Sequence, residues 1–257
     1  MALPDAIVPD WGAHPRVGAL MTTRAGGVSV APWDSLNLGK GSGDAIEAVL
    51  ANRERVAAAT GAHHVYLRQV HRDRVVHLTS RITDTPAEGC DAAWTDEPGI
   101  ACTVMAADCL PVLFAAPHAR AVGAAHAGWR GLAAGVLEQC ARAVCAGAAC
   151  EPRDLLAWLG PCIGPEAFEV GADVLAAFDC APSTRDQPRF RYRPNADGQP
   201  RWRADLAGLA RDRLSALGVQ RISGGVWCTV QDRSRFFSHR RDAGLTGRMA
   251  AAVWIKA

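Results

Sequence analysis

Two apolar runs separated by three residues, Ile100 to Ala106 and Leu110 to Ala115, constrain this chain more than any other feature. Neither alternates polar with apolar positions, so a strand built from either must be covered on both faces. Amphipathic stretches surround them. A strand is expected over Arg16–Thr23, and a helix over Asp44–Thr60 with Ile46, Val49, Leu50 and Val56 on its buried face and Gly61 as its stop. Further strands are predicted at Val65–Val70, Val75–Leu78, Ala121–Ala125, Leu155–Leu159 and Gly224–Val230. Helices are predicted from Gly131 to Cys145, from Ala172 to Phe178, and from Asp205, a natural N-cap, to Leu217 before Gly218. A last helix is expected to start near Thr246–Arg248, while residues 182–203 read as an irregular surface excursion with a short strand around Phe190–Tyr192. Interleaved strands and helices around doubly apolar strands define an α/β (α+β) fold: a buried mixed sheet flanked by helices, in one layered domain over residues 1–257.

The balance of the chain narrows its function. It has 257 residues, is 49% hydrophobic and carries a formal net charge of +2, so no global field recruits nucleic acid or a membrane surface. The first ten residues lack the basic start and apolar stretch of a signal peptide, and no apolar run is long enough to span a bilayer, so a cytoplasmic location is the expectation. Nine cysteines, an odd number without any C-x-x-C, argue against a disulfide framework.

Three residues lie at the edges of strand-like runs beside residues that break regular structure: His71 in Leu-Arg-Gln-Val-His, Cys109 in Ala-Ala-Asp-Cys-Leu-Pro-Val, and His126 in Ala-Ala-His-Ala-Gly-Trp-Arg-Gly. Pro111 argues against a central ladder position and places Cys109 at a kink or strand end. If the runs at Leu110 and Ala121 pair through the turn at Pro117, Cys109 and His126 each lie about eight residues from the turn centre and face one another. Two imidazoles and a thiolate suit Zn²⁺ with one coordination position open to water or substrate. The same residue types suit a Cys–His nucleophile pair, so both readings stand. Asp108, next to Cys109, is a candidate acid/base or orienting carboxylate. Gln69 shares a strand face with His71 and is a candidate reader of a substrate edge. Arg24 beside Gly26-Gly27, Arg130 at a helix start, and Arg241 are candidate anion holders.

The motifs Thr22-Thr23-Arg24-Ala25-Gly26-Gly27, Ser35-Leu36-Asn37-Leu38-Gly39, Gln69-Val70-His71, Ala107-Asp108-Cys109-Leu110-Pro111, His126-Ala127-Gly128-Trp129-Arg130-Gly131, Gly160-Pro161-Cys162-Ile163-Gly164 and Phe237-Ser238-His239-Arg240-Arg241-Asp242 resemble, in order and over nearly the whole chain, the YfiH-type laccase-domain family. The resemblance implies a single α/β domain related in shape to a bacterial toxin cysteine hydrolase, with His71, Cys109 and His126 as metal ligands. It implies a purine nucleoside enzyme that phosphorolyses adenosine, inosine, guanosine and methylthioadenosine to base and ribose 1-phosphate, and deaminates adenosine to inosine. Its substrates would be purine nucleosides and phosphate. The family has also carried the label of a copper polyphenol oxidase, and an editing role on peptidoglycan precursors is attributed to a bacterial member. The eight histidines contain no His-x-His pair, the arrangement on which a multicopper site depends, so zinc is the expected metal and copper the alternative. His239 stands where the family usually has Tyr, Gly41-Ser42-Gly43-Asp44 replaces a His-Val-Gly-Asp-like run, and Glu166-Ala167 replaces a common pair of cysteines.

Overall fold

The computed structural model describes residues 3–81, 85–86 and 88–257. Its strands are β1 (Val17–Met21), β2 (His63–Tyr66), β3 (Val75–His77), β4 (Ala92–Thr95), β5 (Ile100–Ala106), β6 (Leu110–Ala115), β7 (Val122–Ala127), β8 (Leu156–Leu159), β9 (Glu169–Val170), β10 (Phe190–Tyr192), β11 (Trp202–Ala204), β12 (Arg221–Gly224) and β13 (Met249–Ile255). Its α-helices are α1 (Ile46–Thr60), α2 (Trp129–Ala134), α3 (Val136–Ala148), α4 (Ala172–Ala177) and α5 (Leu206–Leu217).

The two apolar runs part company. β5 joins a four-stranded mixed sheet of order β1-β13-β5-β2, and β6 the centre of a six-stranded mixed sheet of order β12-β8-β6-β7-β4-β3. Met21, Val104 and Val253 of the first sheet share one buried cluster with Leu113, Val122 and Trp158 of the second, so the sheets stack face to face. The outer face of the six-stranded sheet packs Val112, Phe114 and Leu159 against Leu137, Cys140 and Val144 of α3 and Leu214 of α5. On the outer face of the other sheet, Tyr66 and Ala250 meet Val56 of α1. The layers therefore run helix, sheet, sheet, helices, and both faces of β5 and β6 are covered, as their composition demands.

Several expectations change. In α1, Ile46 and Leu50 are exposed, and the third buried position is Asn52 instead. Its amide accepts from Val28 N at 2.8 Å and donates to Ser29 Oγ, Ser35 O and Asn37 O, so a polar hub anchors the loop that precedes the helix. The helix expected from Gly131 to Cys145 is two helices, broken where Gly135 takes φ 97°. The strand expected over Gly224–Val230 ends at Gly224, because Gly224 and Gly225 both take positive φ; the strand itself lies earlier, as β12. No helix starts at Thr246–Arg248. The Ala-rich tail becomes β13, seven buried residues between β1 and β5, where the sheet overrides alanine's helical preference. The excursion at 182–203 supplies β10 and reaches β11, which pairs with both β10 and β9 in a small antiparallel sheet. Among the described residues no helix is long and apolar enough to cross a membrane.

Candidate metal centre

The β6–β7 hairpin delivers two of the three central side chains. Pro111 pairs with His126 and Leu110 with Ala127, so Cys109 sits one pleat beyond the residue facing His126, on the same side of the sheet. The expected register is thus offset by two residues, which a diagonal cross-strand contact tolerates. Pro111 lies at the mouth of β6, where the ladder to β8 begins only at Val112, and its carbonyl still accepts from Gly160 N at 2.9 Å. Asp108, at φ 97°, makes the kink that aims Cys109. The third residue, His71, sits at φ 60° on the connection that leaves β2 in one sheet and enters β3 in the other.

Asp91, which sequence reasoning missed, assembles the set. It is fully buried. Its carboxylate accepts from the backbone N–H groups of Val70 (3.0 Å), His71 (2.8 Å) and Arg72 (2.9 Å), and from His126 Nδ1 (2.9 Å). One carboxylate therefore shapes the His71 turn and fixes the His126 ring with Nε2 facing the cleft. Burial opposes its ionisation, but the hydrogen bonds from His126 and the turn hold it below the usual carboxylate range. Its only signal in the sequence is an acidic residue opening an apolar strand, in Cys90-Asp91-Ala92-Ala93.

The ligating atoms of His71, Cys109 and His126 lie within 4.8 Å of one another, the one such His/Cys/carboxylate group among the described residues. Cys109 Sγ is 3.8 Å from His71 Nε2, against about 3.6 Å for sulfur and nitrogen ligands on a tetrahedral zinc. A Cβ on Gly128 would come 2.9 Å from His71 Cδ2 and 3.0 Å from Cys109 Sγ, so only glycine lets the backbone pass beneath the cluster. Burial alone would raise the Cys109 thiol. The charge of His126 and hydrogen bonds from His126 and His71 outweigh it and bring Cys109 down to about 6. Burial likewise opposes a charge on His126, but the Cys109 thiolate and the Asp91 carboxylate raise it to about 9. A soft anion beside two imidazoles, one oriented by a buried carboxylate, is a donor set that fits a borderline-soft divalent cation.

The trio lies in a cleft of about 480 Å³. Apolar lining comes from Met105, Trp129, Ile163, Phe168 and Leu206, and cationic lining from Arg130, Arg240 and Arg248. Of the sequence candidates, Asp108, Gln69 and Arg130 line the cleft with the trio, whereas Arg24 and Arg241 do not. Arg24 pairs with Asp34 at 3.1 Å, donates to the Asp34 and Arg233 carbonyls and lies over the Phe237 ring. Arg241 pairs with Asp242 and donates to the Thr229 and Phe236 carbonyls, which leaves its side chain 8% exposed. Both tie loops together. Gln69 donates to Met105 O and accepts from Met105 N, each at 2.8 Å, so its amide bridges backbone in the cleft wall. Asp108 accepts from Thr229 Oγ1 at 2.5 Å and from Arg240 N at 2.6 Å, which brings the 229–240 segment to the cleft. Arg130 stacks on Trp129, on a helix of only six residues. Arg240, Arg248 and His239 also reach the cleft; the motif holding His239 and Arg240 was legible in the sequence, but the choice between Arg240 and Arg241, and the part of Arg248, were not.

A family model described as multi-copper polyphenol oxidoreductase laccase matches residues 18–256. A purine nucleoside phosphorylase of Pseudomonas aeruginosa is 47% identical over 97% of this chain and 98% of its own length. The purine nucleoside phosphorylase YfiH of Escherichia coli is 44% identical over the same shares. Among solved structures, a Neisseria meningitidis protein superposes with a TM-score of 0.87 at 45% identity, covering 98% of this chain and 100% of the other. YlmD from Geobacillus stearothermophilus superposes with a TM-score of 0.83 at 32% identity, covering 95% and 94%. Sequence and fold thus agree over nearly the whole length, and the chain belongs to the YfiH laccase-domain family.

Proposed function

We propose that this protein is a zinc-dependent purine nucleoside enzyme, which phosphorolyses adenosine, inosine, guanosine and methylthioadenosine and deaminates adenosine to inosine. The observation that carries the reading is the His71–Cys109–His126 cluster, held by Asp91 on the wall of a cleft that has both apolar and cationic lining. Relatives of the same length, named purine nucleoside phosphorylases, support it. The trio would hold the zinc, which supplies Lewis-acid charge and a nucleophile usable near neutral pH. Trp129 and Phe168 offer aromatic surface to a purine, and with Leu206 they keep water from the reacting bond. The arginines oppose the charge of phosphate and of the departing base. Asp108, already accepting two hydrogen bonds, serves to position Arg240. The nine cysteines are all free, which suits a reducing compartment such as the cytoplasm.

Incubating the zinc-loaded protein with adenosine and phosphate should yield adenine and ribose 1-phosphate together with inosine. Absence of both conversions at full zinc occupancy would sink the proposal. A second reading has its own observation: Asp91, His126 and Cys109 form a carboxylate–imidazole–thiol relay with a lowered thiol, the pattern of a cysteine hydrolase acting on an amide, for instance in peptidoglycan precursors. Cys109→Ser and His71→Ala separate the two. Loss of bound metal in both variants favours ligation, and retained metal with loss of an acyl adduct favours the nucleophile. A copper phenol oxidase is the weakest reading, since only three donors converge among the described residues.

A further inference from the structure

Phosphorolysis needs a seat for a phosphate dianion, and the arginines at the cleft differ in how far their charge is already neutralised. Arg248 is the best placed. Its guanidinium is partly buried, donates to the Thr246 and Gly247 carbonyls at 2.9 and 3.0 Å, and has no carboxylate partner among the described residues. A cation withdrawn from water without a paired anion is costly to maintain, and such sites are built where an anion arrives. The nearby negative charges are Cys109 and Asp108, and the metal would claim the first.

The arginine's backbone and stem are also held in place. Asn37 Oδ1 accepts from both Arg248 N (2.8 Å) and Gly39 N (3.0 Å), while Asn37 Nδ2 donates to Ser42 Oγ (2.7 Å). A Cβ at Gly39 would lie 2.6 Å from Arg248 Cγ, so the glycine lets the 39–42 loop close on the arginine's stem. Ser42 Oγ accepts from Asn37 and keeps its own proton to donate. Arg240, which also lines the cleft, is fixed through its backbone by Asp108, donates from its side chain to the Glu169 carbonyl, and pairs with no carboxylate among the described residues.

We infer that Arg248, with Arg240 and the Ser42 hydroxyl, forms the subsite for inorganic phosphate, on the side of the cleft that Asn37 organises. The inference rests on the phosphorolysis proposed above. The phosphate of a nucleotide has the same chemistry, and the test includes it.

The measurements are calorimetric titration of the zinc-loaded protein with inorganic phosphate and with adenosine monophosphate, and steady-state phosphorolysis, for the unaltered chain, Arg248→Gln and Arg248→Lys. Loss of charge-assisted hydrogen bonds should raise Kd and KM for phosphate by about tenfold or more in Arg248→Gln, with KM for the nucleoside changed by less than about twofold and partial recovery in Arg248→Lys. Phosphate constants within about threefold of the unaltered chain, a parallel rise in both KM values, or weakening for adenosine monophosphate alone would each overturn the assignment. Should Arg248→Gln fail to fold, Arg240→Gln, an exposed site, carries the test with an expected rise of about threefold or more. Phosphate binding that depends on Arg248 without any nucleoside turnover would unseat the reaction and keep the subsite. Phosphorolysis with an unchanged phosphate KM would do the reverse.

Discussion

Asp91 offers one carboxylate to four donors, and two metal-ligand candidates depend on it. Asp91→Asn keeps the size but loses the charge and one acceptor oxygen, so zinc affinity should fall about 10- to 100-fold, read by competition with a chromogenic chelator. Gly128→Ala should act from the other side by pushing His71 off Cys109, and metal content should fall with little change in the far-UV spectrum. Protonation of the cluster gives a third outcome. In chelated protein Cys109 should remain a thiolate at pH 7, and its absorbance near 240 nm should disappear as pH falls through about 6. The signs for stability oppose each other. A lowered Cys109 favours the fold increasingly as pH rises from about 6 towards 9, whereas a raised His126 loses its contribution as pH rises through about 9. Between these limits one proton is exchanged for another, so the pair should leave the melting temperature nearly flat. The trio was legible because each member sits beside a residue that interrupts a strand. Asp91 was not, because its partners are backbone N–H groups some twenty residues earlier, brought close only by the parallel pairing of β3 with β4. Arg24 and Arg241 misled for a related reason: residue type announces a charge and says nothing of which carboxylate neutralises it.

Among the elements, α1 shows where periodicity misdirects. Ile46 and Leu50 fit an apolar stripe yet face solvent, while Asn52 is buried because the neighbouring loop needs its amide. Asn52→Ala would strand Val28 N and two carbonyls, and should cost about 3 kcal/mol in urea unfolding. Ile46→Ala should change stability by less than about 0.5 kcal/mol. The β5 and β6 runs were legible as doubly covered strands, since burial on both faces leaves a continuous apolar signature. Their assignment to different sheets was not, because three intervening residues permit either a tight hairpin or, as here, a kink at Asp108 into a second layer. The helix expected to start near Thr246–Arg248 gives way to β13, because an alanine-rich run serves both structures and only its neighbours β1 and β5 decide.

At the scale of the molecule, we propose that residues 1–257 form one cooperative unit, since the buried cluster between the sheets draws on both. Calorimetry should then show one transition with equal calorimetric and van't Hoff enthalpies, and two resolved transitions would contradict it. The family motifs pointed to this layered architecture, but composition alone does not say that the candidate cleft lies where the chain passes from one sheet to the other.

That exchange has a further consequence. The segment leaving one sheet for the other carries His71 at its bend, and the Val70, His71 and Arg72 N–H groups all close on the carboxylate that also grips His126. A cation held by His71, Cys109 and His126 would rivet the two layers at that bend. Deuterium uptake at these three amides should therefore slow on metal binding, a reporter of occupancy that needs no substrate and no chromophore.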